Sequence, residues 1–173
     1  MKETDNHIFF WGEFLSNWYP CEFVATINGK QVKFHNAEQY FMYMKAIKFG
    51  DKEIAEEILK KGENPKIAKN LGRKVKNYDD GVWNNVRYSV MRDACFMKFS
   101  QNEYLKKKLL NPKWSDKGFV EGSPYDRIWG IESDATIEIV EVYVSNLRKI
   151  LSKFGYDKCI KTKRKVGYMF DDK

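Results

Sequence analysis

The order of apolar and polar positions divides the chain into a β-like first third and a helical remainder. Residues 7–11 form a short aromatic run, and Phe23–Ile27 and Lys30–Phe34 flank Asn28-Gly29. Asn-Gly between β-branched runs signals a hairpin, because both turn residues tolerate positive φ. From Asn36 the period changes. Asn36 suits an N-cap with Gln39 in the capping-box position, and Ala37, Tyr40, Phe41, Met44 and Ile47 recur at helical spacing. A second helix is expected from Asp51, with Ile54, Ala55, Ile58 and Leu59 inward and Gly62 as its stop. Asn64-Pro65 opens a third, which Gly72 ends. A longer helix is expected over 80–99, with Trp83, Val86, Val90, Ala94 and Met97 on one face. Further helices are expected over 102–110 and 136–154, the latter starting with enough β-branched residues to admit a strand. These elements predict an α+β fold: a compact, predominantly helical single domain over 5–155 beside a small antiparallel sheet. A basic C-terminal tail, 156–173, follows.

Composition adds a direction to this outline. Lys and Arg total 31 against 24 Asp and Glu, a net charge of +7, and aromatic residues reach 16%. Such a surplus points to phosphate-bearing partners or to solubility alone. The cysteines Cys21, Cys95 and Cys159 are odd in number and widely spaced, and only His7 and His35 are present. No zinc spacing and no disulfide framework follow, so a cytoplasmic, reducing setting is expected, without metal or cofactor. No segment approaches the ~18 apolar residues of a membrane span, nor does residue 1 onward read as a signal peptide.

The chain has no phosphate-binding Walker loop, no GxGxxG, no GxSxG and no HExxH. Two histidines make a histidine-based triad a poor expectation. Carboxylates, lysines, arginines and tryptophans remain, and they suit cleavage of a ribose C1′–N bond. That reaction passes through an oxocarbenium-like state, which a carboxylate stabilises while an aromatic surface holds the base. Glu38, two residues after the Asn36 cap, lies where a helix dipole stabilises negative charge. Lys45 falls seven residues on, nearly on the same face. By spacing alone, both also suit plain surface charges.

Five segments then carry a resemblance: FFWGEFLSNWY, FHNAEQYFMYMKA, NPKIAKNLGRKV, VWNNVRYSVMRDACFMKF and FVEGSPYDRIWGI, in that order over about 9–131. Together they resemble the NADAR (YbiA-like) family. The resemblance implies a compact, largely helical α+β fold and N-glycosidase activity on ribosyl-linked bases. It implies catalytic roles for Glu38, Lys45 and Asp126. Phe14, Ser16, Asn17, Arg73, Trp83, Glu121, Trp129 and Gly130 are implied on the substrate. Bland roles stand beside these: core packing for Trp83, an Asx turn for Asp126, a dipole or ion-pair partner for Arg73, and turn or loop stabilisation for Asn17 and Glu121. Trp83 and Trp129 would otherwise serve as stacking surfaces, worth ~1–3 kcal/mol per base. Lys98 reads as a solvated helix-face lysine or a weaker phosphate ligand. Lys45 admits two active roles, a cation for phosphate or an amine attacking C1′ of the opened ribose.

The sequence departs from the family pattern after Trp129-Gly130. The usual G-x-N-x-LG segment is missing, and Ile131 is followed directly by Glu132-Ser133-Asp134. The expected substrate is ADP-ribose on guanine in nucleic acid, DNA before RNA. Phosphorylated intermediates of riboflavin biosynthesis, nucleotide-like small molecules, are the alternative, and a non-catalytic ADP-ribose or nucleic-acid binding module is the rival from another class.

Overall fold

A computed structural model describes residues 1–5, 7–114, 117–122, 160–163 and 167–170. The fold is α+β. Its residues fall into two compact units: Asn17–Leu105, and Met1–Ser16 with the described part of Lys106–Lys173. The helix expected over 136–154 lies outside the described residues.

In the first of these units, strands β3 (Phe23–Ile27) and β4 (Lys30–Phe34) pair antiparallel, with Ile27 opposite Lys30 and Phe23 opposite Phe34. Asn28 and Gly29 have φ of 50° and 77°. Positive φ at both central residues is the type I′ condition, whose twist matches that of the paired strands. Helix α1 (Ala37–Lys48) packs against α2 (Lys52–Lys61), α3 (Pro65–Gly72), α5 (Arg87–Ser100) and β4. The rings of Phe23, Phe34, Tyr40 and Tyr43 meet edge-on or stacked, with centroids 5.1–6.0 Å apart, and join the hairpin to α1. α1 is buried nearly all round through its first two turns, while Met44 and Ile47 are only half-buried. In α2, Ile54, Ala55 and Ile58 are buried as the spacing predicts, and Leu59 is half-buried.

Gly72 of α3 packs on Met42 of α1: a Cβ there would run into Met42 Sδ and lie 2.8 Å from Met42 Cγ and 3.1 Å from Met42 Cβ. Gly72→Ala should therefore overpack this contact and cost about 1–3 kcal/mol. A urea titration reads this as a lower midpoint at unchanged slope; an unshifted midpoint would show that Met42 yields freely.

The helix expected over 80–99 is two helices, α4 (Asp80–Asn84) and α5, separated at Asn85-Val86. Adjacent asparagines, whose side chains compete for backbone hydrogen bonds, and a β-branched Val explain the break. The inward face of α5 is Met91, Ala94, Cys95, Lys98 and Phe99, whereas Val86, Val90 and Met97 are half-buried. Lys98, read as solvated, is fully buried. A charged residue on the inward stripe displaced the apparent apolar face. α6 (Glu103–Leu109) lies within its expected range.

The second unit holds a three-stranded sheet in the order β1 (Lys2–Glu3), β2 (His7–Phe10), β5 (Gly118–Glu121). β1 is antiparallel to β2, but β5 runs parallel to it, with His7 opposite Gly118 and Phe10 opposite Glu121. The expected small antiparallel pairing is present in β1–β2 and β3–β4, and β5 adds a parallel partner to β2 that the sequence reading did not include. Strands so far apart in sequence are not joined by a hairpin turn, so their direction leaves no local signature. Phe14 stacks on Trp114 at 5.4 Å, and Trp114 meets Phe119 edge-on at 5.9 Å. Strands β6 (Ile160–Lys163) and β7 (Gly167–Phe170) pair antiparallel, Ile160 with Phe170, so the stretch read as a basic tail contains a hairpin. Its lysines obscured the alternation of Ile160, Thr162, Val166, Tyr168 and Phe170. Among the described residues no helix is long and apolar enough to cross a membrane, and no group of His, Cys, Asp or Glu is placed to hold a metal ion.

Candidate active site

The start of α1 is fixed by buried polar side chains. Asn36 is extended, and its Oδ1 accepts the Gln39 N–H at 2.8 Å. Its Nδ2 donates to the carbonyls of Gly62 (3.3 Å) and Glu63 (2.9 Å). Gln39 closes the reciprocal bond one residue earlier than a standard capping box, accepting the His35 N–H at 2.8 Å, and donates to the Ile58 carbonyl at 3.0 Å. Between these two anchored residues lies Glu38. Its N–H donates to the Asn17 carbonyl at 3.1 Å, and the residue is 5% exposed. A glutamate on a solvated helix face would not be so enclosed. Asn17 is itself buried, and its Oδ1 faces the Cys95 thiol at 4.0 Å.

Positions 38, 41 and 45 follow 3- and 4-residue steps, so Glu38, Phe41 and Lys45 share one face of α1. Trp83 packs on Phe41 with centroids 5.0 Å apart and is 5% exposed. Its ring is therefore a wall behind the strip between the two charged residues, as the core-packing role expects. Lys45 is half-buried, with Nζ 3.9 Å from the Tyr78 ring centroid. Its pKa is lowered, first by desolvation; Asp80 opposes this, and the positive charge of Arg73 adds to it. Tyr78 donates its hydroxyl to Asp80 Oδ1 at 2.7 Å. Desolvation first, then that bond, pushes the phenol up to about 12. Arg73, the exposed C-cap of α3, stands one turn beyond Lys69.

Asn17, Glu38, Lys45, Arg73 and Trp83 thus all belong to one unit. Sequence reasoning missed three of their neighbours. Tyr78 and Asp80 sit beside Lys45. Trp18, which follows Asn17, is 40% exposed, with Lys69 Nζ 5.7 Å from its ring centroid. Lys69 and Arg73, four apart on α3, were the available signal: two cations on one helix face leading from an aromatic ring towards Lys45.

The other unit contains Phe14, Ser16 and Glu121. Phe14 and Ser16 are buried, Phe14 against Trp114, while Glu121 is half-buried on β5. Asp126, Trp129 and Gly130 lie outside the described residues. Chemically, the first arrangement offers a buried carboxylate on an anchored helix start and a half-buried amine two turns apart, with a guanidinium able to grip phosphate acting on that amine.

Comparison with known proteins identifies two matching family descriptions. Residues 9–146 match the NADAR domain, and 125–170 match "Transcriptional regulatory protein, C terminal". N-glycosidase R617 of Acanthamoeba polyphaga mimivirus is 37% identical over 138 residues, which span 75% of this chain and 79% of that one. The NMR structure of the Escherichia coli protein YbiA superposes with a TM-score of 0.65 at 23% identity, covering 95% of this chain and 94% of that one. Towards the C-terminus, the transcriptional regulatory protein CiaR of Streptococcus pneumoniae is 48% identical over 48 residues, 28% of this chain and 21% of that protein. The departure after Gly130 falls in 125–146, where the two family matches overlap.

Proposed function

The chain belongs to the NADAR domain family, and from that premise we propose that it is an N-glycosidase that hydrolyses a ribose C1′–N bond, releasing ADP-ribose from guanine in DNA. The observation that carries this reading is the shared α1 face on which Glu38 and Lys45 flank Phe41, with Arg73 acting on Lys45. The name of the mimiviral relative, an N-glycosidase, supports the reaction class. Net charge of +7 supports a polyanionic substrate over a free mononucleotide.

In the proposed reaction the C1′–N bond breaks and its electron pair leaves with the base. The Glu38 carboxylate faces the positive charge that grows on the ribose, a stabilisation strengthened by the burial of that carboxylate, which is 5% exposed. Arg73, with Lys69 one turn away, binds the pyrophosphate. Water supplies the hydroxyl at C1′ and the proton that the base carries away. Asp126, Trp129 and Gly130 join this proposal through the family pattern, Asp126 to orient the water or ribose and Trp129 to cover the base.

The test offers a guanine-ADP-ribosylated oligonucleotide and, separately, the amino-uracil ribosyl phosphates. Release from the oligonucleotide alone upholds the proposal. Release only from the small molecules moves the enzyme to the riboflavin-type substrates, and binding without release from either makes it a reader.

Similarity of 125–170 to transcriptional regulators supports a second contact with nucleic acid through the β6–β7 hairpin. Lys161, Lys163, Arg164 and Lys165 fall on or between these strands. Each DNA phosphate that a side chain ceases to neutralise should make the negative slope of log K against log salt shallower by ~0.9 on duplex DNA. Replacing Lys163, Arg164 and Lys165 with Gln is expected to weaken oligonucleotide binding and flatten its salt dependence, while cleavage of free ADP-ribosyl-guanosine stays unchanged. An unaltered slope, measured by fluorescence anisotropy, removes the hairpin from the substrate interface.

A further inference from the structure

Lys98 is fully enclosed, at 0% exposure, with Nζ 5.1 Å from the Phe99 ring centroid and 5.6 Å from that of Tyr19. Aromatic faces alone do not replace the hydration of an ammonium; a buried cation needs a nearby negative charge. In the unit that contains Lys98, the buried carboxylates among the described residues are Glu38 and Asp51. Asp51 is engaged elsewhere, its Oδ1 accepting the Ile54 N–H at 3.2 Å and its Oδ2 the Lys76 N–H at 2.9 Å. Three separate contacts bring the Lys98 face of α5 to the first turn of α1. The Cys21 thiol accepts the N–H of Ala37, the residue before Glu38, and also feels the positive charge of Lys98. Cys95, one turn before Lys98, faces Asn17 Oδ1 at 4.0 Å. The Asn17 carbonyl in turn accepts the Glu38 N–H at 3.1 Å.

We infer that Lys98 and Glu38 form a buried ion pair at the start of α1, in which Lys98 is a positioning residue that fixes the carboxylate for its work on the ribose. The positive end of the α1 dipole alone would repel a buried ammonium, and Glu38 is the group that reconciles them. The pairing also explains why a lysine occupies the inward stripe of α5.

A thermal double-mutant cycle tests the pair without any substrate. Lys98→Met and Glu38→Gln each leave one charge buried alone, so both single variants should melt lower. The double variant should lose no more than half the sum of the two single losses. Additive losses overturn the pair. Should Lys98→Met fail to fold, a folded double variant upholds the inference and an unfolded one overturns it. The positioning role rests on the N-glycosidase reading and has its own measure, the pH profile of kcat/KM. Titratable groups near the Glu38 end of α1 are Tyr19 and Cys21 from the segment before β3, Cys95 and Lys98 from α5, and His35 with its carboxylate neighbours Glu22 and Glu63; Lys45 follows two turns along α1, and Asp93 of α5 acts on Tyr40. Removing the cation lets the carboxylate keep its proton to higher pH, so in Lys98→Met the acidic limb should rise by about one unit or more. An unmoved limb overturns the positioning role. A native chain inactive on every substrate defeats the activity proposal, and the thermal cycle still decides the pair.

Discussion

Glu38→Gln should abolish most of the release of ADP-ribose, lowering kcat by about 10²–10³-fold, the usual loss for one preorganised charge-stabilising group. The amide has nearly the size of the carboxylate, and the residue's backbone bond to the Asn17 carbonyl does not involve the side chain. Asn36 and Gln39 still tie the helix start to the carbonyls of Gly62, Glu63 and Ile58. The binding surface is therefore retained, and KM should change little. An effect on kcat with KM preserved marks an interaction made in the transition state rather than with the bound substrate. Single-turnover release from a guanine-ADP-ribosylated oligonucleotide, well below the variant's melting point, is the measurement. A kcat equal to that of the native chain would remove Glu38 from the reaction.

What was legible in the sequence follows from how local each signal is. The β3–β4 hairpin was written in Asn28-Gly29, and the start of α1 in Asn36 and Gln39, because turns and caps are decided by the residues that form them. The split between α4 and α5 was less visible, since an apolar period continues across Asn85-Val86 while the backbone does not. The parallel pairing of β2 with β5 depends on tertiary placement, which no short window contains. At the site, spacing placed Glu38 and Lys45 on one face but left the depth of Glu38 open. Burial came from α5 and the segment before β3. Lys98 was misplaced for the same reason: a charge on a helix is assigned to solvent unless its partner is known. The gap after Gly130 was visible as an absence, and it falls where the second family match, from residue 125, overlaps the first.

Lys45→Arg separates the two roles open to this lysine. Half-burial lowers its pKa, Arg73 adds to the shift and Asp80 opposes it. A lowered value raises the share of neutral amine near neutral pH, which a phosphate-binding cation would not need. As a nucleophile, the amine adds to C1′ once the ribose ring has opened, with the ring oxygen leaving C1′ and taking a proton. The base then departs with the C1′–N electron pair and the proton released from the attacking nitrogen, leaving an imine between Lys45 and C1′. Water restores the aldehyde and frees the lysine. Borohydride added during turnover should deliver hydride to that carbon and leave ADP-ribose fixed on Lys45, read by intact mass and peptide mapping. Arginine keeps the charge but cannot act as the amine, so Lys45→Arg should lose the adduct and on the order of 10³-fold in rate, as for a directly participating group. The pH profile carries an independent sign. In the nucleophilic role the deprotonated form is the active one, so kcat/KM should climb with pH through a value below the ordinary 10.5. Asp80→Asn removes the group that holds the proton on, and should move that limb down. Arg73→Gln removes a repelling cation and should move it up, with a weaker KM of its own. Retained activity in Lys45→Arg, with no borohydride adduct in the native chain, would assign Lys45 to phosphate binding and leave the ribosyl cation to Glu38 and water.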